Sequence, residues 1–200
     1  MSLHDYIPMS GDVGFVGYEQ GYKYLTDRIS WWTTGRGETP TKADHQFQVI
    51  GDFDVVESGY GKKFRVTVRS WMERLEDCGE DERIHCIIFR PPMNLYQRDK
   101  INRVGREIDG YPYGFMEMPL QMGDGLLRKI GLLPERKPFF TMLSVVFPRT
   151  MICSGAGNYC LYRTGVLPHR ALCWAPDDTF DEAVCRGWRI VAIDENGAAY

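Results

Sequence analysis

Three side chains in this sequence have the types needed for acyl transfer: Cys153, His45 and Glu57. A thiolate attacks carbonyl carbon, an imidazole carries the proton, and a carboxylate orients the ring. Cys153 stands near the start of residues 151–165. Within that stretch Cys153, Ala156, Cys160 and Leu161 recur at i, i+3, i+7 and i+8, one face of a helix. The spacing predicts a buried helix with Cys153 in its first turn and Gly165 as a left-handed C-cap. At a helix N-terminus the dipole favours the thiolate, and the free N–H groups can stabilise an oxyanion. Ser154 and Gly155 leave the thiol uncrowded. An isolated cysteine on such a face is more often a small core residue.

The histidine tips that balance. His45, Phe47 and Val49 alternate with Gln46 and Gln48, the period of a strand with one face buried. Gly51-Asp52 marks a turn, and Val55-Val56 carries strand propensity. A two-residue turn would put Glu57 on the face opposite His45. A three-residue turn over residues 51–53 pairs Ile50 with Asp54 and Phe47 with Glu57. His45 and Glu57 then share a face, one diagonal step apart. The three-residue turn is the expectation, and the chemistry itself is part of the reason for choosing it.

The elements that must hold these residues run in order along the chain. Residues 11–16 read as a first strand. Tyr18, Tyr22, Leu25, Ile29 and Trp32 have the spacing of an amphipathic helix, and residues 33–42 that of a loop. Residues 62–68 alternate as a strand with one wet face, its paired lysines on a solvated edge. Ser70 and Glu73 have capping-box spacing before a short helix. Glu80-Asp81-Glu82 reads as a surface turn. Residues 85–89 form a buried strand, with His85 structural rather than catalytic. Residues 95–109 form a helix with Ile101, Val104 and Ile108 inward and Arg98, Arg103, Arg106 and Glu107 outward. Residues 111–150 are irregular and rich in methionine and aromatics, which suits an adaptable apolar pocket or equally a packed core under a long loop. Residues 188–193 make a last strand before a frayed tail.

The order of these pieces resembles the circularly permuted branch of the NlpC-type, papain-like superfamily, in particular its YiiX/YebB-like group. Lecithin:retinol acyltransferases are more distant relatives. In that branch the histidine strand precedes the cysteine helix, as His45 precedes Cys153 here. Ser10-Gly11-Asp12-Val13-Gly14-Phe15 is similar to the opening "GD" strand, Asp44-His45 to the histidine strand, and Val55-Val56-Glu57-Ser58 to the "viEa" strand. Ile87-Ile88-Phe89-Arg90-Pro91 resembles the "Rp" strand, and Gly110-Tyr111-Pro112-Tyr113-Gly114-Phe115 the tyrosine stretch. Met151-Ile152-Cys153-Ser154 resembles "fyCSE", and Ala175-Pro176-Asp177-Asp178 the "tPddl" tail. Gly155 and Gly114 depart from the family's glutamate and aspartate. The expectation is a single α+β domain over residues 1–200. Its antiparallel, partly barrel-like sheet of five or six strands would carry the Cys153 helix packed on it.

The resemblance implies a papain-like cysteine peptidase or amidase that cleaves a peptide, isopeptide or N-acyl lysine bond through a thioester. Cys153, His45 and Glu57 would be catalytic, with Tyr113, Phe115 and Ser154 at the substrate. The substrate would be a small molecule, a peptide or a lipid-like acyl group. Two alternatives stand beside this: a lipid acyltransferase or thiolesterase using the same residues, and an inactive binding or virion-associated module. A net charge of −3 argues against a general nucleic-acid binder. Six cysteines without a CxxC pair suggest reduced thiols, with no metal site and no cofactor. No signal peptide or membrane-spanning run is read from the sequence, so the expectation is a cytoplasmic or virion-associated protein.

Overall fold

The computed structural model describes residues 1–18, 43, 45–51, 53–59, 64–79, 84–114, 120, 123–124, 126–127, 130–134, 139, 151–152 and 154–193. Tyr18, expected to open a helix, instead ends the first strand; the rest of that expected helix over residues 19–32, the loop over residues 33–42, the turn at Glu80-Asp81-Glu82, Cys153, Phe115 and most of the irregular stretch lie outside them.

Alternating valines, isoleucines and aromatics build six strands: β1 (Val13–Tyr18), β2 (His45–Val49), β3 (Asp54–Gly59), β4 (Arg65–Ser70), β5 (Ile84–Arg90) and β6 (Arg189–Ile193). They pair antiparallel in the order β4-β3-β2-β1-β5-β6. The expected strand number holds, but the sheet does not close on itself, so the barrel-like expectation is corrected. Closure would require β4 to pair with β6, and they stand at opposite ends of the order.

Among the described residues, α1 (Trp71–Gly79), α2 (Leu95–Glu107), α3 (Gly155–Arg163) and α4 (Pro176–Cys185) pack around the sheet. α2 starts at a capping box, with Gln97 N–H donating to Asn94 Oδ1 at 2.9 Å and Asn94 N–H to Gln97 Oε1 at 3.0 Å. α3 ends as expected at Gly165, whose φ is 77°. The Gly165 N–H donates to Tyr162 O and the Val166 N–H to Leu161 O, both at 2.9 Å, a Schellman closure. Arg98 departs from its expected solvated face. It donates to Ser10 O at 2.5 Å and ties α2 to the start of β1.

The two faces of the sheet bury different sets. On one, Val13, Phe15, Ile50, Val56, Val66, Ile87 and Phe89 pack against α2, α3 and α4. Phe180 of α4 meets Phe15 and Phe89 edge-on, each at 5.4 Å between ring centres. On the other, Val16, Phe47, Val49, Val55, Cys86 and Ile88 pack against Trp71 of α1 and against Leu3 and Tyr6 of the N-terminal segment. Phe47 is wholly buried there, its ring lying on Gly14 of β1; a Cβ at Gly14 would sit 1.9 Å from that ring. Gly14→Ala should therefore destabilise the fold by about 1–3 kcal/mol through overpacking. Urea denaturation checks this, as a lower midpoint at unchanged slope.

The outer edge of β4 is occupied. Val66 N–H donates to Tyr111 O at 2.8 Å, Gly110 N–H to Val66 O at 3.0 Å, and Tyr113 N–H to Phe64 O at 2.9 Å. Residues 110–113 thus run along β4 and then join Met151, which bridges Tyr113 in parallel. At the other edge, Ile193 N–H donates to Met1 O at 3.1 Å.

Candidate active site

The hairpin of β2 and β3 takes the expected register. Ile50 N–H donates to Asp54 O at 2.8 Å, and Phe47 stands opposite Glu57. The first and last residues of the turn, Gly51 and Phe53, both adopt left-handed backbone, with φ of 74° and 67°. One diagonal step then brings His45 Nε2 to 2.6 Å from Glu57 Oε2.

Two arginines share the same carboxylate. Arg69 Nε of β4 lies 2.5 Å from Glu57 Oε1, and Arg74 Nε of α1 lies 3.6 Å from Oε2. Arg74 is 4% exposed, and its guanidinium lies 5.1 Å over the Phe47 ring. Burial works against the Glu57 charge. The Arg74 guanidinium, the His45 hydrogen bond and Arg69 outweigh it and hold the carboxyl well below its usual range. Neither arginine was singled out in the sequence. The signal was there: Arg69 is one diagonal step from Glu57 across β3 and β4, and Arg74 lies one helical turn beyond Trp71.

The face on which this cluster lies differs from the face that α3 covers. His45, Glu57 and Arg69 share the side of Phe47, Val55 and Trp71. α3 packs on the other side, where Gly157 touches Gln46 so closely that a Cβ would fall 2.4 Å from Gln46 Nε2. Gln46 donates onward to Asn158 Oδ1 at 3.3 Å, and Thr179 Oγ1 donates to the same oxygen at 3.0 Å. Gly157 over Gln46 places the beginning of α3 at the end of the sheet where β2 starts. The histidine pair and the helix that follows Cys153 therefore occupy the same end of the sheet on opposite faces. The sulfur itself lies outside the described residues.

The remaining candidates are accounted for as follows. α3 begins at Gly155, two residues after Cys153, with Ser154 as its N-cap. Ser154 is fully buried and donates from Oγ to Trp174 O at 2.7 Å, a tie between the start of α3 and the segment before α4. Tyr113 is also buried, and its backbone is bridged to Met151. Ser58 Oγ donates to Met151 O at 2.6 Å, anchoring the approach to Cys153 onto β3. Cys160 lies deeper in α3, where burial pushes its thiol up to about 12, so it stays protonated and unreactive near neutral pH. Among the described residues no group of three or more His, Cys, Asp or Glu side chains is placed to hold a metal ion. No described helix is long and apolar enough to cross a membrane.

A second polar cluster lies farther along the face that α1 covers. Asp12 is fully buried and receives both Nε and Nη2 of Arg90, at 2.7 and 2.6 Å. Tyr6 donates to Asp12 Oδ2 at 2.5 Å, and the Met9 N–H at 3.2 Å. Burial and the Asp12 charge push the Tyr6 phenol far above its usual value, so it remains a donor. The "GD" and "Rp" stretches noted in the sequence are thus two halves of one ion pair.

Compared with known proteins, the chain matches no family model and no curated sequence.

Proposed function

We propose that this protein is a cysteine hydrolase that cleaves an amide bond through a thioester, with His45 as its base. The observation that carries the reading is the His45 Nε2 to Glu57 Oε2 contact at 2.6 Å, with the carboxylate held ionised by two arginines. Such a carboxylate orients the imidazole, as a base in acyl transfer needs. The order of motifs resembling the permuted NlpC-type branch, with His45 ahead of Cys153, supports the same reading. In it, the Cys153 thiol gives its proton to His45 and its sulfur attacks the carbonyl carbon. The tetrahedral intermediate collapses as His45 passes that proton to the leaving amine. Water then attacks the thioester, losing its proton through His45, and the acid and the free thiol are released.

This chemistry requires the sulfur to meet the ring around the start of β2, because α3 packs on the far face. That same opposition of faces favours a second reading, a binding module in which the His45–Glu57–arginine cluster only braces the hairpin. Limited alkylation near pH 6.5, followed by mapping of the modified cysteine, separates the two. The hydrolase reading expects Cys153 to be modified first, and His45→Ala to slow the reaction tenfold or more, in line with about 1.4 kcal/mol per decade. An electrophilic acyl probe should label the same residue. Preferential labelling of another cysteine, or a Cys153 rate indifferent to His45→Ala, would establish the binding module instead.

A further inference from the structure

We propose that Gln46 and Ser58 are positioning residues: from the back of the hairpin that carries His45 and Glu57, they hold the chain on either side of Cys153 and so set where the thiol stands. The proposal rests on the reading of Cys153 and His45 as the reacting pair.

Neighbouring side chains on a strand point to opposite faces. His45 and Glu57 meet on one face of β2 and β3, so Gln46 and Ser58, the next residue in each strand, point to the other. The register that sets Phe47 opposite Glu57, carried one step further, brings Gln46 beside Ser58. Both are fully buried. Their polar groups go to the two sides of Cys153 in the chain. Ser58 Oγ donates to Met151 O at 2.6 Å, just before the cysteine. The same carbonyl accepts from Gly114 N–H at 3.1 Å, and Met151 N–H donates to Pro112 O at 3.1 Å. After the cysteine, Gln46 Nε2 donates to Asn158 Oδ1 at 3.3 Å, and its amide lies against Gly157. The orientation of that amide follows from its partner. Asn158 Nδ2 donates to Trp174 O at 3.3 Å, so the Asn158 oxygen is what faces Gln46, and only the NH2 of Gln46 can meet it. Asn158 N–H donates to Ser154 O at 2.9 Å, one helical turn from the residue bonded to Cys153.

The same two strands thus carry the ring on their front and the cysteine segment on their back. So few residues separate Met151 from Ser154 that a shift at either end moves Cys153 with it. A displacement of about 1 Å can cost a reacting pair about a hundredfold.

The test is the rate at which iodoacetamide alkylates Cys153 in the full chain near pH 6.5, with and without His45→Ala. In otherwise unaltered protein that substitution should slow the reaction about tenfold or more. In Ser58→Ala it should slow the reaction less than about threefold, because a sulfur displaced from the ring no longer registers its loss. Ser58→Ala removes a single oxygen, so the fold survives it. Gln46→Leu, which keeps most of the bulk and removes the donor, should act alike. Thr164→Val loosens the far end of α3, where Thr164 Oγ1 donates to Cys160 O at 2.9 Å, and should leave the His45 factor unchanged. Urea unfolding checks that each variant is folded under the assay conditions. A His45 factor that stays about tenfold in Ser58→Ala and Gln46→Leu, or falls equally in Thr164→Val, overturns the proposal and leaves the hydrolase reading standing. A Cys153 rate indifferent to His45→Ala in otherwise unaltered protein removes the hydrolase reading and the proposal together, so the two failures are told apart.

Discussion

Asp12→Ala is expected to lower the free energy of unfolding by about 3–5 kcal/mol, the largest single loss in this fold. The reason is not the value of the pair itself, since two well-packed apolar residues can often replace a buried ion pair at no loss. It is the charge left behind. Arg90 would retain its guanidinium at the end of β5 with its two carboxylate contacts gone, and the Tyr6 hydroxyl and Met9 N–H would lose their acceptor as well. A buried donor without a partner costs about 1–3 kcal/mol. Asp12→Asn should cost less, because the amide oxygen can still accept from Tyr6 or Arg90. Urea denaturation of both variants at pH 7 measures the difference. A loss below about 1 kcal/mol in Asp12→Ala would show that Arg90 swings out to solvent and that the pair braces nothing.

Glu57→Ala should cost about 3 kcal/mol at pH 7, and the cost should shrink in acid. The sign follows from the direction of its shift. The carboxyl lies below its ordinary value of about 4.5 in the folded protein because of Arg74, His45 and Arg69, against the opposing effect of burial. A depressed carboxylate stabilises the fold fully above the unfolded value and loses that contribution as pH falls toward the folded one. Unfolding curves of the two proteins should therefore stand furthest apart above about pH 5 and converge below pH 4. A gap that is constant from pH 7 to pH 3 would mean that the loss is one of packing and not of charge. The stability loss would accompany any loss of activity, so turnover in this variant needs correction for the folded fraction.

The hairpin shows what the sequence carries plainly. Alternation fixed which of residues 45–49 share a face, and the spacing of His45 and Glu57 made sense only with a three-residue turn. Alternation did not say that both faces are covered. Gln46 and Gln48 read as the wet side, yet both are fully buried, because Asn158 and the Asp12 carbonyl receive their amides. Those partners are distant in sequence, and nothing local announces them. The same holds for Asp12 and Arg90: each stretch was noticeable, but their contact is a property of β1 lying beside β5. α4 was legible only as a tail motif, although Pro176 at its first turn and the Asp178 carboxylate receiving the Ala175 N–H at 3.1 Å are ordinary helix-start chemistry.

Residues 110–113 lie along β4 like a selvedge, and this bears on how the protein behaves when crowded. An open sheet ends in rows of unpaired amides, and such rows recruit strands from other molecules. On β4 that row is already taken up by Tyr111 O, Gly110 N–H and Tyr113 N–H, with Asp109 Oδ1 accepting from Val68 N–H at 3.0 Å. A protease cut or a helix-favouring substitution in residues 109–113 would strip this cover. It would expose a valine-bearing strand ready to template fibrils, so self-association after nicking is a hazard built into how the sheet ends.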